Sequence, residues 1–173
     1  SPLDKEQIKK TLNATKLLEP YSGTRKKKDD QFSKNLAIFI KKNHQEGSQT
    51  LVIVNTVDRA QDLYQKLKDQ LGIKKDEQSE KLILIHSRFR SVEREALNKK
   101  LRETPQSGRI IVATQVVEAG VDISSKLMIT ELAPWSSLVQ RFGRCNRKGK
   151  DGEAKIYWID LEDDLAIPYE SDE

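Results

Sequence analysis

Short apolar runs alternate with amphipathic stretches along the middle of the chain. The runs are LVIV at 51–54, LILI at 82–85, IIVA at 110–113, LMIT at 127–130 and AKIYWID at 154–160. Apolar residues recur at helical spacing over 32–40, 60–71 and 92–101. Continuously apolar strands are typical of parallel sheets that are buried on both faces, and helices supply the crossovers between such strands. The pattern therefore predicts an α/β fold: an open parallel sheet with helices on both faces.

Composition places the chain among polar globular domains. Its 173 residues suit one domain, with 36% hydrophobic and 34% charged residues. No apolar stretch approaches the ~18 residues of a membrane span, so we expect no membrane partner. The single cysteine, Cys145, excludes an internal disulfide and suits a reducing cytoplasm. We divide the chain into a charged leading segment, 1–31, interpreted as a surface loop, one α/β lobe, 32–161, and an acidic tail, 162–173.

Polar residues follow the first four apolar runs, where the predicted strands end. They are Asn55 and Thr56 after the first run, Ser87 and Arg88 after the second, Thr114 after the third, and an arginine-rich stretch after the fourth. Ligands of open parallel sheets collect at the carboxyl ends of the strands, so we expect these residues to share one edge. A net charge of +4 and a pI near 9.0 permit a polyanionic ligand without demanding one.

The stretch QRFGRCNRKGK at 140–150, called the arginine segment below, is a candidate for phosphate binding. Arg141, Arg144 and Arg147 stand three residues apart in it. Their planar guanidinium groups match phosphate oxygens better than lysine does. The alternative is an exposed basic helix end, which the helix macrodipole favours without any ligand.

Four strings in this chain resemble conserved motifs of superfamily-2 helicases. NTVDRAQDLY, HSRFRSVER, ATQVVEAGVDI and QRFGRCNR are similar to motifs IV, IVa, V and VI, in that order and at the family's spacing. The resemblance covers roughly 48–160. The residues of the four motifs together are most similar to those of the type I CRISPR-associated helicase-nuclease. It implies the second RecA-like lobe, the helicase C-terminal domain, of an ATP-dependent single-stranded DNA translocase in antiviral CRISPR interference.

The resemblance also implies catalytic roles within the arginine segment. Arg144 and Arg147 would be arginine fingers, and Gln140 would sense the γ-phosphate of a nucleotide held by a partner lobe. Charge on a phosphoryl group in transfer spreads over its oxygens, and fixed guanidinium groups stabilise that charge. The motifs therefore predict that this lobe completes a site it does not hold alone.

Three further residues resemble positions near the bound nucleotide: Gly120, Asp122 and Arg141. Asp122 would accept a hydrogen bond from a ribose hydroxyl. Gly120 has the alternative of allowing a tight turn. Arg141 has the alternative of supporting its motif through internal pairs. Glu118 is expected to orient neighbouring loops, with no defined role.

Five residues resemble positions that face a single nucleic-acid strand: Asn55, Thr56, Ser87, Arg88 and Thr114. Asn55 could instead cap the helix that follows it, and Thr114 could be the N-cap of a helix at a strand end. Trp135 either stacks a base or packs within the lobe. Contacts to the strand's phosphates would carry no sequence information.

The chain lacks the other parts that a helicase-nuclease uses. It has no Walker lysine loop, no Asp-Glu pair after a buried strand, and no His/Asp cluster of an HD nuclease or other metal site. ATP with magnesium would therefore be held mainly by a first RecA-like lobe in cis, and the isolated fragment is predicted to be inactive. In the full protein the resemblance implies divalent metal in an HD nuclease domain and a CRISPR surveillance complex as partner. The alternatives are a lobe of another DNA or RNA helicase of superfamily 2, or a non-catalytic nucleic-acid-binding module.

Overall fold

The computed structural model describes residues 14–26, 29–74, 79–86, 100–101, 105–119, 121–162 and 165. Within them, six strands form one sheet whose pairs are all parallel. The strands are β1 (Lys16–Arg25), β2 (Gln49–Ile53), β3 (Leu82–Ile85), β4 (Arg109–Ala113), β5 (Leu127–Glu131) and β6 (Ala154–Leu161). Their order across the sheet is β1-β6-β5-β2-β4-β3. Each predicted apolar run is a strand, so the predicted parallel sheet is confirmed.

Three α-helices are described: α1 (Asp30–Asn43), α2 (Val57–Leu71) and α3 (Trp135–Phe142). The side chains of Asp29 and Thr56 accept hydrogen bonds from backbone N–H groups in the first turns of α1 and α2, which satisfies donors that the helix leaves unpaired. A short 3₁₀ helix covers Gln115–Val117. The stripe predicted at 92–101 lies outside the described residues except for its last two positions. Within the described ranges, no helix is long and apolar enough to cross a membrane.

The two faces of the sheet are covered by different parts of the chain. Helices α1 and α2 cover one face, where Leu36 and Leu63 pack with Val52 of β2. On the other face, Val117 and Ile123 pack against alternate strand residues. Side chains of a strand point to opposite faces in turn, so a fully apolar strand contributes to both cores.

The loop interpretation of the leading segment 1–31 is wrong for Lys16–Arg25, because these residues form β1. This edge strand pairs in parallel with β6, from Lys16 opposite Ala154 to Arg25 opposite Leu161. Only Tyr21 and Arg25 of the strand are buried. Backbone pairing rather than apolar burial holds the strand, so its polar sequence gave no periodic signal.

Parallel pairing dictates where the segments after β4 and β5 run. The chain leaves β4 at the carboxyl edge and must reach the amino edge again before β5 begins. Residues 114–126, called the crossing loop below, make this return over one face of the sheet. The arginine segment makes the same return between β5 and β6. The two segments run side by side, with a parallel bridge between Ser125 and Cys145.

Candidate functional site

The arginine segment is attached to the end of the crossing loop by backbone hydrogen bonds. The Ser125 N–H donates to the Arg144 carbonyl at 2.9 Å, and the Asn146 N–H donates to the Ser125 carbonyl at 2.8 Å. Helix α3 ends at Phe142, so Arg144 and Arg147 lie beyond it rather than on one helical face. The alternative of a basic helix end therefore does not describe these two residues.

Arg144 is held by two carbonyl groups of the crossing loop. Its Nη1 donates to the Val121 carbonyl at 2.7 Å and its Nη2 donates to the Glu118 carbonyl at 2.8 Å. Desolvation is the main cause that lowers the pKa of Arg144; the charge of Arg147 lowers it further, and Asp122 raises it. A guanidinium carries five N–H donors in a plane, so these two bonds orient the group and leave it donors for an anion.

Arg147 and Asp122 form an ion pair at the surface. The distance from Arg147 Nη1 to Asp122 Oδ1 is 3.4 Å, and the side chains are 45% and 56% exposed. The turn that presents Arg147 begins at Asn146, which has a φ of 45°. The Asn146 side chain stabilises the turn by donating to the Asp151 carbonyl at 2.9 Å and accepting from the Asp151 N–H at 3.1 Å. Exposed pairs contribute only about 0–1 kcal/mol, so a phosphate could replace Asp122 as the partner of Arg147.

Arg141 is enclosed within the lobe, which contradicts its assignment as a cofactor-binding residue. The side chain is fully buried, and Nε donates to Glu118 Oε1 at 2.8 Å. Nη1 donates to Thr130 Oγ1 and to the Glu131 carbonyl, both at 3.0 Å, and both terminal nitrogens donate to Asn55 Oδ1 at 3.1 Å. The alternative role, internal support of the motif, is the one that the structure shows.

Asn55 neither faces a strand nor caps α2, so both interpretations of this residue are wrong. It is buried; its N–H donates to Glu131 Oε2 at 2.7 Å and its Nδ2 donates to the Leu132 carbonyl at 2.7 Å. The cap is Thr56, whose Oγ1 accepts from the Arg59 N–H at 3.3 Å. Asn55 thus joins the ends of β2 and β5 and orients Arg141.

Thr114 follows β4 and is only 1% exposed. Its N–H donates to the Ile85 carbonyl at 3.1 Å, while its Oγ1 is buried without a hydrogen-bond partner among the described residues. It occupies the N-cap position of the 3₁₀ helix, but its side chain makes no capping bond. Buried polar groups normally have partners, so this hydroxyl is an unused hydrogen-bonding group at the carboxyl edge.

The other residues predicted to contact a ligand either lie outside the described residues or are exposed. Ser87, Arg88 and Gly120 lie outside the described residues. Gln140 is exposed near the end of α3. Trp135, at the start of the same helix, is 73% exposed. Its side chain therefore does not pack within the described part of the lobe.

The prediction that the polar residues after the strands share one edge is wrong for the arginine segment. Thr114 follows the carboxyl end of β4. Asp122, in contrast, lines a cavity of about 270 Å³ together with Ser48 and Gln49, at the amino end of β2, and Lys126, just before β5. The crossing loop carries Asp122 away from the carboxyl edge because the parallel sheet requires the chain to return. The arginine segment follows it and brings Arg147 to the same place.

Two acidic residues organise the site, although sequence reasoning assigned neither of them a defined role. Glu131 is fully buried at the end of β5, where Oε1 accepts from Arg25 and Oε2 accepts from Arg59, at 3.1 and 3.0 Å. Desolvation is the main cause that lowers the pKa of Arg25, and Glu131 opposes it. Glu118 accepts from Arg141 and, through Oε2, from Ser137 Oγ at 3.0 Å. A signal for Glu131 was present in the acid that ends the apolar run LMITE.

The donor set fits a phosphate group better than it fits a metal ion. Arg144 and Arg147 offer oriented N–H donors that match phosphate oxygens. In the part of the chain that is described, no group of three His, Cys, Asp or Glu residues could hold a metal. The chemistry expected at this face is therefore stabilisation of phosphate charge by guanidinium groups.

Comparisons with known proteins identify the family of this chain. Residues 46–150 match the family model "CRISPR-associated nuclease/helicase Cas3, C-terminal". The chain is 35% identical over 133 residues to a putative CRISPR-associated nuclease/helicase Cas3 of Methanocaldococcus jannaschii, covering 72% of this chain and 17% of that protein. It is 34% identical over 128 residues to the CRISPR-associated helicase Cas3 of Thermoproteus tenax, covering 70% and 20%. The chain thus spans at most about a fifth of these relatives' length.

Solved structures give the same result for the fold. The crystal structure of T. fusca Cas3-AMPPNP is similar with a TM-score of 0.69 and 25% identity, over 87% of this chain and 18% of that one. The C-terminal domain of the DEAD-box protein Dbp5 has a TM-score of 0.63 at 18% identity, over 89% and 81%, which supports the fold alone. The predicted RecA-like architecture is confirmed. With the family model covering most of its length, this chain belongs to the Cas3 family of CRISPR-associated nuclease/helicases, as a helicase C-terminal lobe.

Proposed function

We propose that this chain is the C-terminal motor lobe of an ATP-dependent single-stranded DNA translocase that acts in CRISPR interference. One observation carries the proposal: the crossing loop holds the Arg144 guanidinium at 2.7 and 2.8 Å, beside the solvent-exposed Arg147. A guanidinium fixed in advance stabilises developing charge without reorganising during the reaction. A first RecA-like lobe of the same protein supplies the remaining parts of the site.

Each residue of this face has a distinct task in the proposal. Arg144 orients toward the phosphate with its bonds to the loop intact. Arg147 exchanges its surface partner Asp122 for a phosphate oxygen, which leaves that carboxylate available to a ribose hydroxyl. Gln140, exposed on α3, is the candidate γ-phosphate sensor. ATP with magnesium, when bound between the lobes, supplies the phosphoanhydride that is cleaved.

Thr114 is the strand contact that the structure supports best. Its Oγ1 has no partner in the described part of the lobe, whereas its N–H is already bonded to Ile85. The hydroxyl is buried, so contact with a phosphate of the strand requires neighbouring segments to move as the lobes close. Such a contact is independent of base sequence and weakens as salt rises.

The test compares Arg147→Ala with Lys148→Ala, a neighbouring exposed cation, in the full-length protein. Arginine fingers contribute roughly 10³–10⁵ in kcat in well-studied systems, so we expect at least a ~100-fold loss of DNA-stimulated ATPase in the first variant. Affinity for a non-hydrolysable nucleotide should change less than about threefold, because the finger acts mainly in the transition state. Lys148→Ala should stay within about twofold of wild type. Equal losses of turnover and nucleotide binding in Arg147→Ala would contradict the proposal.

The nucleic acid and the partner complex need their own measurements. A chain of the solved "CRISPR RNA-guided surveillance complex, pre-nicking" is 26% identical to this one with a TM-score of 0.59, over 89% of this chain and 19% of that one. We infer that the full-length protein works with a complex of this kind. Single-stranded DNA should stimulate its ATPase more than RNA of the same sequence does. Stimulation by RNA alone would favour a helicase of RNA processing instead.

A further inference from the structure

We propose that Glu118 is a positioning residue for Arg144. Its carboxylate attaches the crossing loop to α3. The attached loop then holds the Arg144 guanidinium in the orientation that faces the phosphate. The inference rests on the proposed function, since it assigns Arg144 a task in phosphate chemistry. Glu118 itself is not expected to touch the nucleotide.

Glu118 contacts three positions in and after α3. Oε1 accepts from Arg141 Nε at 2.8 Å, and Oε2 accepts from Ser137 Oγ at 3.0 Å. Residues four apart lie on the same face of a helix, so the carboxylate binds one face of α3 with both oxygens. The backbone carbonyl of the same residue accepts from Arg144 Nη2 at 2.8 Å. One residue therefore joins the helix to the guanidinium that follows it.

The charge of Arg141 makes this attachment strong. Arg141 is fully buried, and its bonds to Thr130, Glu131 and Asn55 go to neutral acceptors: a hydroxyl, a backbone carbonyl and an amide oxygen. Glu118 supplies a carboxylate to the same guanidinium. A buried charge is stable only when it is paired and hydrogen-bonded, so the pair resists separation. The carboxylate thereby fixes the position of the crossing loop on α3.

The positions of two loop carbonyls determine the direction of Arg144. The two carbonyls that accept from Arg144 belong to Glu118 and Val121. The Val121 carbonyl is anchored by burial of Val121 and Ile123. The Glu118 carbonyl is held partly by the 3₁₀ helix, where the Glu118 N–H donates to the Gln115 carbonyl at 3.0 Å, and the Glu118 carboxylate attaches the same residue to α3. If Glu118 is released from α3, the two carbonyls lose their fixed spacing, and Arg144 regains rotamer freedom.

A merely structural role for Glu118 predicts different kinetics from a positioning role. A structural role lowers stability and the active fraction, and its effect adds to that of any other mutation. A positioning role acts through Arg144, so its effect disappears once Arg144 has been removed. Double-mutant cycles detect this dependence.

The experiment uses the full-length protein with Glu118→Gln, Arg144→Ala and the double variant. We expect Glu118→Gln to lower the kcat of DNA-stimulated ATPase at least tenfold, with the Kd for AMPPNP within about twofold of wild type. The double variant should be no slower than Arg144→Ala alone. Glu131→Gln is the matched control: it alters a different acid that also accepts from arginines, Arg25 and Arg59, and its effect on kcat should multiply with that of Arg144→Ala.

The outcomes separate this inference from the proposed function. Wild-type turnover in Glu118→Gln, or a full multiplicative effect in the double variant, overturns the positioning role while Arg144→Ala remains impaired. Wild-type turnover in Arg144→Ala overturns both proposals. If Glu118→Gln does not fold, Ser137→Ala removes the second bond to the carboxylate and keeps the Arg141 pair. It should lower kcat about two- to fivefold, and only when Arg144 is present. A multiplicative effect of Ser137→Ala and Arg144→Ala would also overturn the positioning role.

Discussion

Replacing Glu131 by alanine should destabilise the lobe more than any surface charge change. The carboxylate is fully buried and accepts from Arg25 at 3.1 Å, from Arg59 at 3.0 Å and from the Asn55 N–H at 2.7 Å. Its removal leaves two largely buried guanidinium groups without this partner. Breaking a buried ion pair by removing one member costs about 3–5 kcal/mol. Glu131→Gln keeps the shape and one acceptor oxygen, so we expect a smaller loss of about 1.5–3 kcal/mol.

Urea unfolding of the chain, followed by circular dichroism, measures this cost. The free energy of unfolding of Glu131→Ala should fall by the stated amount, and its Tm should fall by about 6–20 °C for a domain of this size. Asp122→Asn is the matched control, because it also removes one carboxylate from an arginine but does so at the surface. Exposed pairs contribute about 0–1 kcal/mol, so this variant should unfold nearly as wild type does.

The ranking of the variants decides whether burial is the cause. If Glu131→Ala and Asp122→Asn lose the same free energy, the argument from desolvation is refuted. A loss below about 1 kcal/mol in Glu131→Ala would show that water or a rearranged side chain compensates the two arginines.

Three other predictions concern single residues. Burial raises the pKa of the Cys145 thiol from its ordinary value of 9.0 to about 11, so stability should fall as pH rises from about 9 through 11. At pH 8 the thiolate fraction should be about 100-fold lower in the native than in the unfolded chain, and labelling with a thiol reagent should be slowed at least that much; equal rates would refute burial. Thr56→Ala should cost about 1 kcal/mol and Thr56→Ser little, because only the hydroxyl cap of α2 differs; equal urea midpoints for both variants would contradict that role. Asn146→Ala should destabilise more than Asn146→Gly by thermal melting, since a φ of 45° penalises a β-carbon; the reverse order would contradict the strain argument.

The local pattern was sufficient to identify most elements of the sheet. The run at 82–85 is the strand Leu82–Ile85, and the stripe at 60–71 lies within the helix Val57–Leu71. A strand buried on both faces needs apolar residues at every position, and a helix against a sheet needs them at every turn. Both requirements are met by neighbours along the chain, so the sequence by itself determined the α/β class and the family's motif order.

Tertiary structure alone decided which polar residues face inward and which face outward. Arg141 and Arg147 belong to one string, yet one is fully buried and the other is exposed. The acceptors of Arg141 come from as far as 86 residues away in the sequence, at Asn55. The strand β1 likewise depends on its partner β6, and the position of Asp122 depends on the return of the chain between parallel strands. Hydrogen bonds and ion pairs join groups that are distant along the chain, so the partner that each polar residue finds is a property of the assembled sheet.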